Sequence, residues 1–129
     1  RKKTEKDAVI RTTFEIPTQV KSPEIPKLQL PTFDDLNLEF TPIDKRAAIQ
    51  FKGGETEAIS RLNHYFFQTK CISQYKETRN GLVGSDYSSK FSAWLALGCI
   101  SPRFIHNELK KYEEQFGANE STYWLIFEL

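Results

Sequence analysis

The chain has no methionine, only two cysteines and only two histidines among its 129 residues. Cys71 and Cys99 lack both metal-ligand spacing and a disulfide framework. They read as buried thiols of a reducing intracellular compartment, cytoplasm or organelle. His64 and His106 stand far apart, with no cysteine or carboxylate at ligand spacing, so no metal is expected. A surplus of either charge is also missing. Eighteen basic and seventeen acidic residues leave a net charge of +1, so total charge carries no argument for nucleic-acid binding. No apolar run approaches the ~20 residues that span a bilayer. Arg1-Lys2-Lys3 leads into Glu5 and Asp7 rather than a hydrophobic segment, so neither a signal peptide nor a membrane partner is expected. No repeat and no convincing strand pattern is present.

Glycine is absent from residues 1–52, and all but one of the prolines fall there. Pro17, Pro23, Pro26, Pro31 and Pro42 fix φ and remove donors, so Pro17 to Pro42 should be extended and irregular. Ile16, Val20, Ile25, Leu28, Leu30, Phe33, Leu36, Leu38 and Phe40 are too apolar for a solvated linker. An ordered strap lying on a surface is expected, after a short helix over residues 4–11. From residue 53 the apolar period becomes 3.6. Ala58, Ile59, Leu62, Tyr65 and Phe66 form the stripe of a helix from about Glu55 to Thr69. Ser88 or Ser89 is expected to cap a helix that passes through Trp94 and stops at Gly98. Ser101-Pro102 is the strongest start signal, and Ile105, Leu109, Tyr112 and Phe116 then face one way until Gly117. Ser121 is expected to open a last helix, apolar all round and therefore buried in a larger helical body. The fold class is mainly α, with an irregular connector over 1–52 and a helical part over 53–129.

Chemistry concentrates between Tyr75 and Arg103. Gly81 and Gly84 let backbone amides approach a ligand, and Ser88, Ser89, Lys90 and Ser92 add hydroxyls and a cation within one turn. That combination suits a phosphate, although an ordinary capped loop has the same composition. Glu128 lies within Trp124-Leu125-Ile126-Phe127-Glu128-Leu129, where a carboxylate is costly to bury unless it is bonded or functional. Phe66, Phe67, Trp94 and Trp124 read as core.

Three nearly continuous strings, ETRNGLVG from Glu77, SSKFSAWLALGCISPR from Ser88 and STYWLIFEL from Ser121, resemble the start of the FAD-binding domain of the photolyase/cryptochrome family. The similarity is greatest to the cryptochrome-DASH branch. Residues 1–52 resemble the interdomain connector and 53–129 the first helices of the flavin domain. By that resemblance the chain, which starts at Arg1 and ends in an apolar helix at Leu129, is expected to be a fragment on which other parts of its parent pack. The resemblance implies that Ser88, Ser89, Lys90, Phe91 and Ser92 bind the FAD phosphates and that Tyr75 packs against the flavin nucleotide. It implies a DNA-phosphate contact for Arg79 and a contact to the pyrimidine dimer for Glu128. A parent of this kind is a blue-light photolyase, a carbon–carbon lyase that repairs cyclobutane pyrimidine dimers, with single-stranded DNA preferred. A folate antenna, methenyltetrahydrofolate, would belong to its N-terminal domain, and the fragment alone would be inactive. Two alternatives stay open: a FAD-binding blue-light receptor that signals, and a helical protein-interaction module using the Tyr123–Phe127 surface.

Overall fold

In the computed structural model of the protein, Pro26 and residues 29–129 are described. The helix expected over 4–11 and much of the proline-rich strap lie outside the described residues. The chain divides into two compact units, whose described parts are Pro26 with residues 29–47, and residues 48–129. The first has neither helix nor strand among its described residues. It holds two turns, one at Asp44, where the Ala47 amide donates to Asp44 O at 3.0 Å and Arg46 pairs with the Asp44 carboxylate, and one at Thr32. The Thr32 amide and hydroxyl both donate to Asp35 Oδ2 at 2.8 Å, and the Asp35 amide donates back to Thr32 Oγ1 at 3.2 Å. These bonds hold the Asp35 carboxyl below its usual pKa. Phe33 meets Phe40 edge to face at 5.8 Å.

The second unit is all-helical among its described residues. Helix α1 spans Glu55–Asn63 and runs on as a π turn, His64–Gln68. The Thr69 amide bonds His64 O at 2.9 Å, a five-residue reach that widens the turn under the Tyr65–Phe66–Phe67 rings. The expected Glu55–Thr69 helix is therefore present, with its last turn loosened. A 3₁₀ turn, Cys71–Gln74, leads into the one-turn helix α2, Tyr75–Thr78. Helix α3 is Ser92–Ala96, α4 is Pro102–Phe116 and α5 is Glu120–Glu128.

The core gathers Leu62, Tyr65 and Phe66 from α1, then Ile72, Phe91, Trp94, Ile105, Leu109, Tyr112 and Leu125. Each such side chain contributes about 1.5–3 kcal/mol on leaving water. Phe66 lies at the centre, with ring contacts to Phe67, Phe91 and Tyr112 at 6.0–6.3 Å. Trp94 pins the entry segment through Nε1 to Lys52 O at 2.8 Å and a tilted contact with Phe51.

Helix α4 begins as its sequence requires. Ser101 Oγ accepts from the Phe104 amide at 3.1 Å, Pro102 occupies N1, and Gly117 at φ 90° ends the helix. Replacing Ser101 with Ala should lower stability by about 1 kcal/mol, read from denaturant midpoints of the protein and its variant. Two starts differ from expectation. Helix α3 opens at Ser92, after Phe91, and neither Ser88 nor Ser89 caps it. Lys90 at φ 60° turns the chain left-handed and breaks any earlier helix. Helix α5 opens one residue before Ser121, because Asn119 is the better cap. Asn119 Oδ1 accepts from the Thr122 amide at 2.9 Å, and Thr122 Oγ1 accepts from the Asn119 amide at 3.1 Å. Within this unit α5 is buried on one stripe only, at Ser121, Thr122 and Leu125.

Candidate functional site

The segment from Gly81 to Ser92 carries almost no regular structure, yet three fastenings hold it. The first is Arg61, buried on the inner face of α1 with 9% exposure. Its Nε donates to Ser89 O at 3.0 Å, and Nη2 donates to Ser85 O at 2.8 Å and Ser88 O at 3.1 Å. Nη1 donates to Asp86 Oδ1 at 2.7 Å. The second is Thr78, whose hydroxyl donates to Tyr87 O at 2.8 Å. The third is the Tyr87 ring itself, which fills the space at both glycines. A Cβ at Gly81 would lie 2.7 Å from Tyr87 Cγ, and one at Gly84 would lie 2.9 Å from Cε2. By composition those glycines suit the approach of a ligand. Here they make room for the loop's own tyrosine, and Gly84 also adopts φ 111°.

Partial burial opposes ionisation of Asp86, but bonds from Arg61 and from His64 outweigh it, so its carboxyl is held below the usual range. His64 Nε2 lies 3.4 Å from Asp86. With its carbonyls occupied, the loop keeps its donors free. Among the described residues no acceptor pairs with the amides of Ser85 to Ser92, nor with the hydroxyls of Ser88, Ser89 and Ser92 or the Lys90 ammonium. Ser88, Ser89 and Lys90 are half-buried and Ser92 is exposed. Phe91 differs: its ring is 2% exposed and packs on Tyr65 and Phe66, so its side chain belongs to the core.

The remaining expected residues form a second cluster. Tyr75 on α2 donates through its hydroxyl to Glu128 Oε2 at 2.5 Å, and Arg79 Nη1 donates to Glu128 Oε1. The family resemblance implies three separate roles for these residues, and the fold brings them into one contact. Burial pushes the Tyr75 phenol up, and the nearby Arg79 charge partly offsets this. The Arg79 and Glu128 side chains are 30% and 28% exposed. The Arg79 guanidinium also lies 5.2 Å from the Trp124 ring centroid, with Lys76 Nζ at 5.9 Å. Lys76 further pairs with Glu120, while its amide donates to Ser121 Oγ at 3.0 Å. Ser121 Oγ in turn donates to Glu77 Oε2 at 3.0 Å. Helix α2 thus joins the two clusters. Thr78 holds the serine loop, while Tyr75 and Arg79, the residue just after the helix, hold the end of α5.

Arg61 is the residue sequence reading missed. It sits three residues after Ala58 and four before Tyr65, both fully buried, so a charge on that apolar stripe was the available signal. Among the described residues no group of histidines, cysteines and carboxylates could hold a metal. No helix among them is long and apolar enough to cross a membrane.

No protein-family model matches the chain. A cryptochrome DASH of Danio rerio is 52% identical over 131 residues, which cover 100% of this chain and 25% of that protein. A cryptochrome DASH of Gloeobacter violaceus is 50% identical over 132 residues, again 100% of this chain and 26% of that protein. The crystal structure of a Synechocystis sp. PCC6803 cryptochrome superposes with a TM-score of 0.78 at 48% identity, covering 98% of this chain and 26% of that one. The chain spans about a quarter of the length of the relatives it matches. Alike in sequence along its length and alike in fold, the chain belongs to the photolyase/cryptochrome family, where the relatives it matches are cryptochromes of the DASH type.

Proposed function

We propose that a longer protein containing this chain binds FAD and uses blue light to split cyclobutane pyrimidine dimers, preferring single strands. The observation that carries this reading is the run of free donors from Ser85 to Ser92 beside Lys90, in a chain of this family. A pyrophosphate needs amide N–H groups, hydroxyls and a cation, and this loop offers all three. Ser88, Ser89, Lys90 and Ser92 would hold the phosphates, with Phe91 contributing only its backbone. Tyr75, being buried, would wall the nucleotide rather than exchange protons with it. When bound, FAD supplies a light-driven electron to the dimer and takes it back. The rest of the task falls to the protein: binding, orientation and electrostatics.

Arg79 and Glu128 would divide the DNA work. Arg79 would meet a phosphate, which positions the strand without reading its sequence. Glu128 would meet the pyrimidines, where negative charge develops. A flipped dimer leaves a single strand at lower cost than a duplex, consistent with the preference proposed. The test uses the full-length protein with reduced FAD and a single-stranded oligonucleotide carrying one dimer. Illumination with blue light should restore the pyrimidines, followed by absorbance and by chromatography of the product. Stable FAD binding without any splitting would assign the protein to light signalling instead.

A further inference from the structure

The guanidinium of Arg61 makes an uncommon set of bonds. It spends its donors on three backbone carbonyls, those of Ser85, Ser88 and Ser89, and on one carboxylate, Asp86. Burying such a charge is costly unless its hydrogens are satisfied, and a single carboxylate cannot satisfy five N–H donors. The carbonyls take three more, so four of the five hydrogens are bonded, and the Tyr65 ring lies 5.2 Å from the guanidinium carbon. A peptide unit points its N–H opposite to its C=O. Drawing the carbonyls of residues 85, 88 and 89 onto Arg61 therefore turns the amides of Asp86, Ser89 and Lys90 the other way. Those amides have no acceptor among the described residues. Lysine could not take this place: its ammonium has three donors on one point and cannot span acceptors spread over five residues.

We propose that Arg61 is the positioning residue of the phosphate cradle: from behind the loop it fixes the Ser85–Ser89 carbonyls so that the amides face a pyrophosphate. This rests on the flavin reading above and gives that site its organising side chain. Arg61 touches no ligand. It acts through the loop, with Asp86 as its charge partner and Thr78 as a second fastening at Tyr87. The preorganisation matters because an unordered loop would have to lose its freedom when phosphate binds, at the expense of affinity.

The experiment compares two ligands that differ only in phosphate. Adenosine diphosphate and adenosine are titrated against FAD-stripped full-length protein, each measured by competition with FAD. Arg61→Gln should reduce the advantage of the diphosphate over adenosine at least about tenfold, with adenosine affinity nearly unchanged. Arg61→Lys should fall between wild type and Gln, and it keeps the test open if the Gln variant does not fold. A purely structural role would weaken both ligands together, and an unchanged ratio in either variant overturns the proposal. The Ser88→Ala, Ser89→Ala double variant separates the two levels of inference. If it lowers the ratio while the Arg61 variants do not, the cradle stands and Arg61 has no part in it. If neither changes the ratio, the phosphate reading of the loop fails as well.

Discussion

Lys90→Glu in the full-length protein is expected to lower FAD affinity about tenfold to a hundredfold, the largest effect of any change within the serine loop. A charge-assisted bond to phosphate contributes about 1.5–3 kcal/mol, and reversal adds repulsion to the loss. The backbone at Lys90 sharpens the test. With φ 60° it occupies a region that costs a non-glycine residue on the order of 1 kcal/mol. Glycine would relieve that strain. Lys90→Gly should therefore hold or raise the thermal midpoint of the FAD-free protein while still lowering the flavin retained after desalting. Opposite signs in the two measurements mean that the side chain is kept for a ligand. If Lys90→Gly leaves flavin content at the wild-type level, the lysine has no phosphate role and its strained backbone needs another explanation.

The helices were legible because burial imposes a period. Ala58, Leu62, Tyr65 and Phe66, and again Ile105, Leu109 and Tyr112, follow the 3.6 spacing, and all are buried as that spacing demands. The start of α4 was legible for a different reason, since a serine followed by proline satisfies both the cap and N1. Residues 118–122 were ambiguous. Asn119, Ser121 and Thr122 can each cap, and only the reciprocal Asn119–Thr122 bonds select the register. The serine loop misled because composition does not give direction. Gly81 and Gly84 suit a ligand by composition, but the space they leave is filled by Tyr87. Arg61 and the serine loop are joined by bonds across 24 to 28 residues, and Glu128 reaches Tyr75 and Arg79 across 53 and 49. No local pattern encodes such pairings. The Glu128 pairings follow from the packing of α5 against α2, and the Arg61 pairings from the return of the loop to α1.

The contact among Tyr75, Arg79 and Glu128 changes what each substitution should do to DNA. Arg79 is not a free cation: the Glu128 carboxylate neutralises it, and the Trp124 face lies beside it. A phosphate can recruit Arg79 only by competing with Glu128. Arg79→Ala in the full-length protein should therefore weaken single-stranded DNA binding and flatten its salt dependence by at most about 0.7 log units per log unit of salt. Glu128→Ala should do the reverse, since it frees Arg79 and removes a negative charge from the strand's path. Affinity for undamaged single strands should rise or hold. Dimer splitting per absorbed photon should nevertheless fall, about tenfold or more, because the side chain that would hold the pyrimidines in place is gone. Glu128→Gln separates the two roles, since its amide can still bond the pyrimidines but no longer neutralises Arg79. It should bind like the alanine variant and recover part of the splitting yield. Binding curves across a salt series, with splitting yields at full FAD reduction, measure both quantities on the same preparations. Tighter binding with an unchanged yield in Glu128→Ala would leave the glutamate only the task of holding Arg79 and Tyr75.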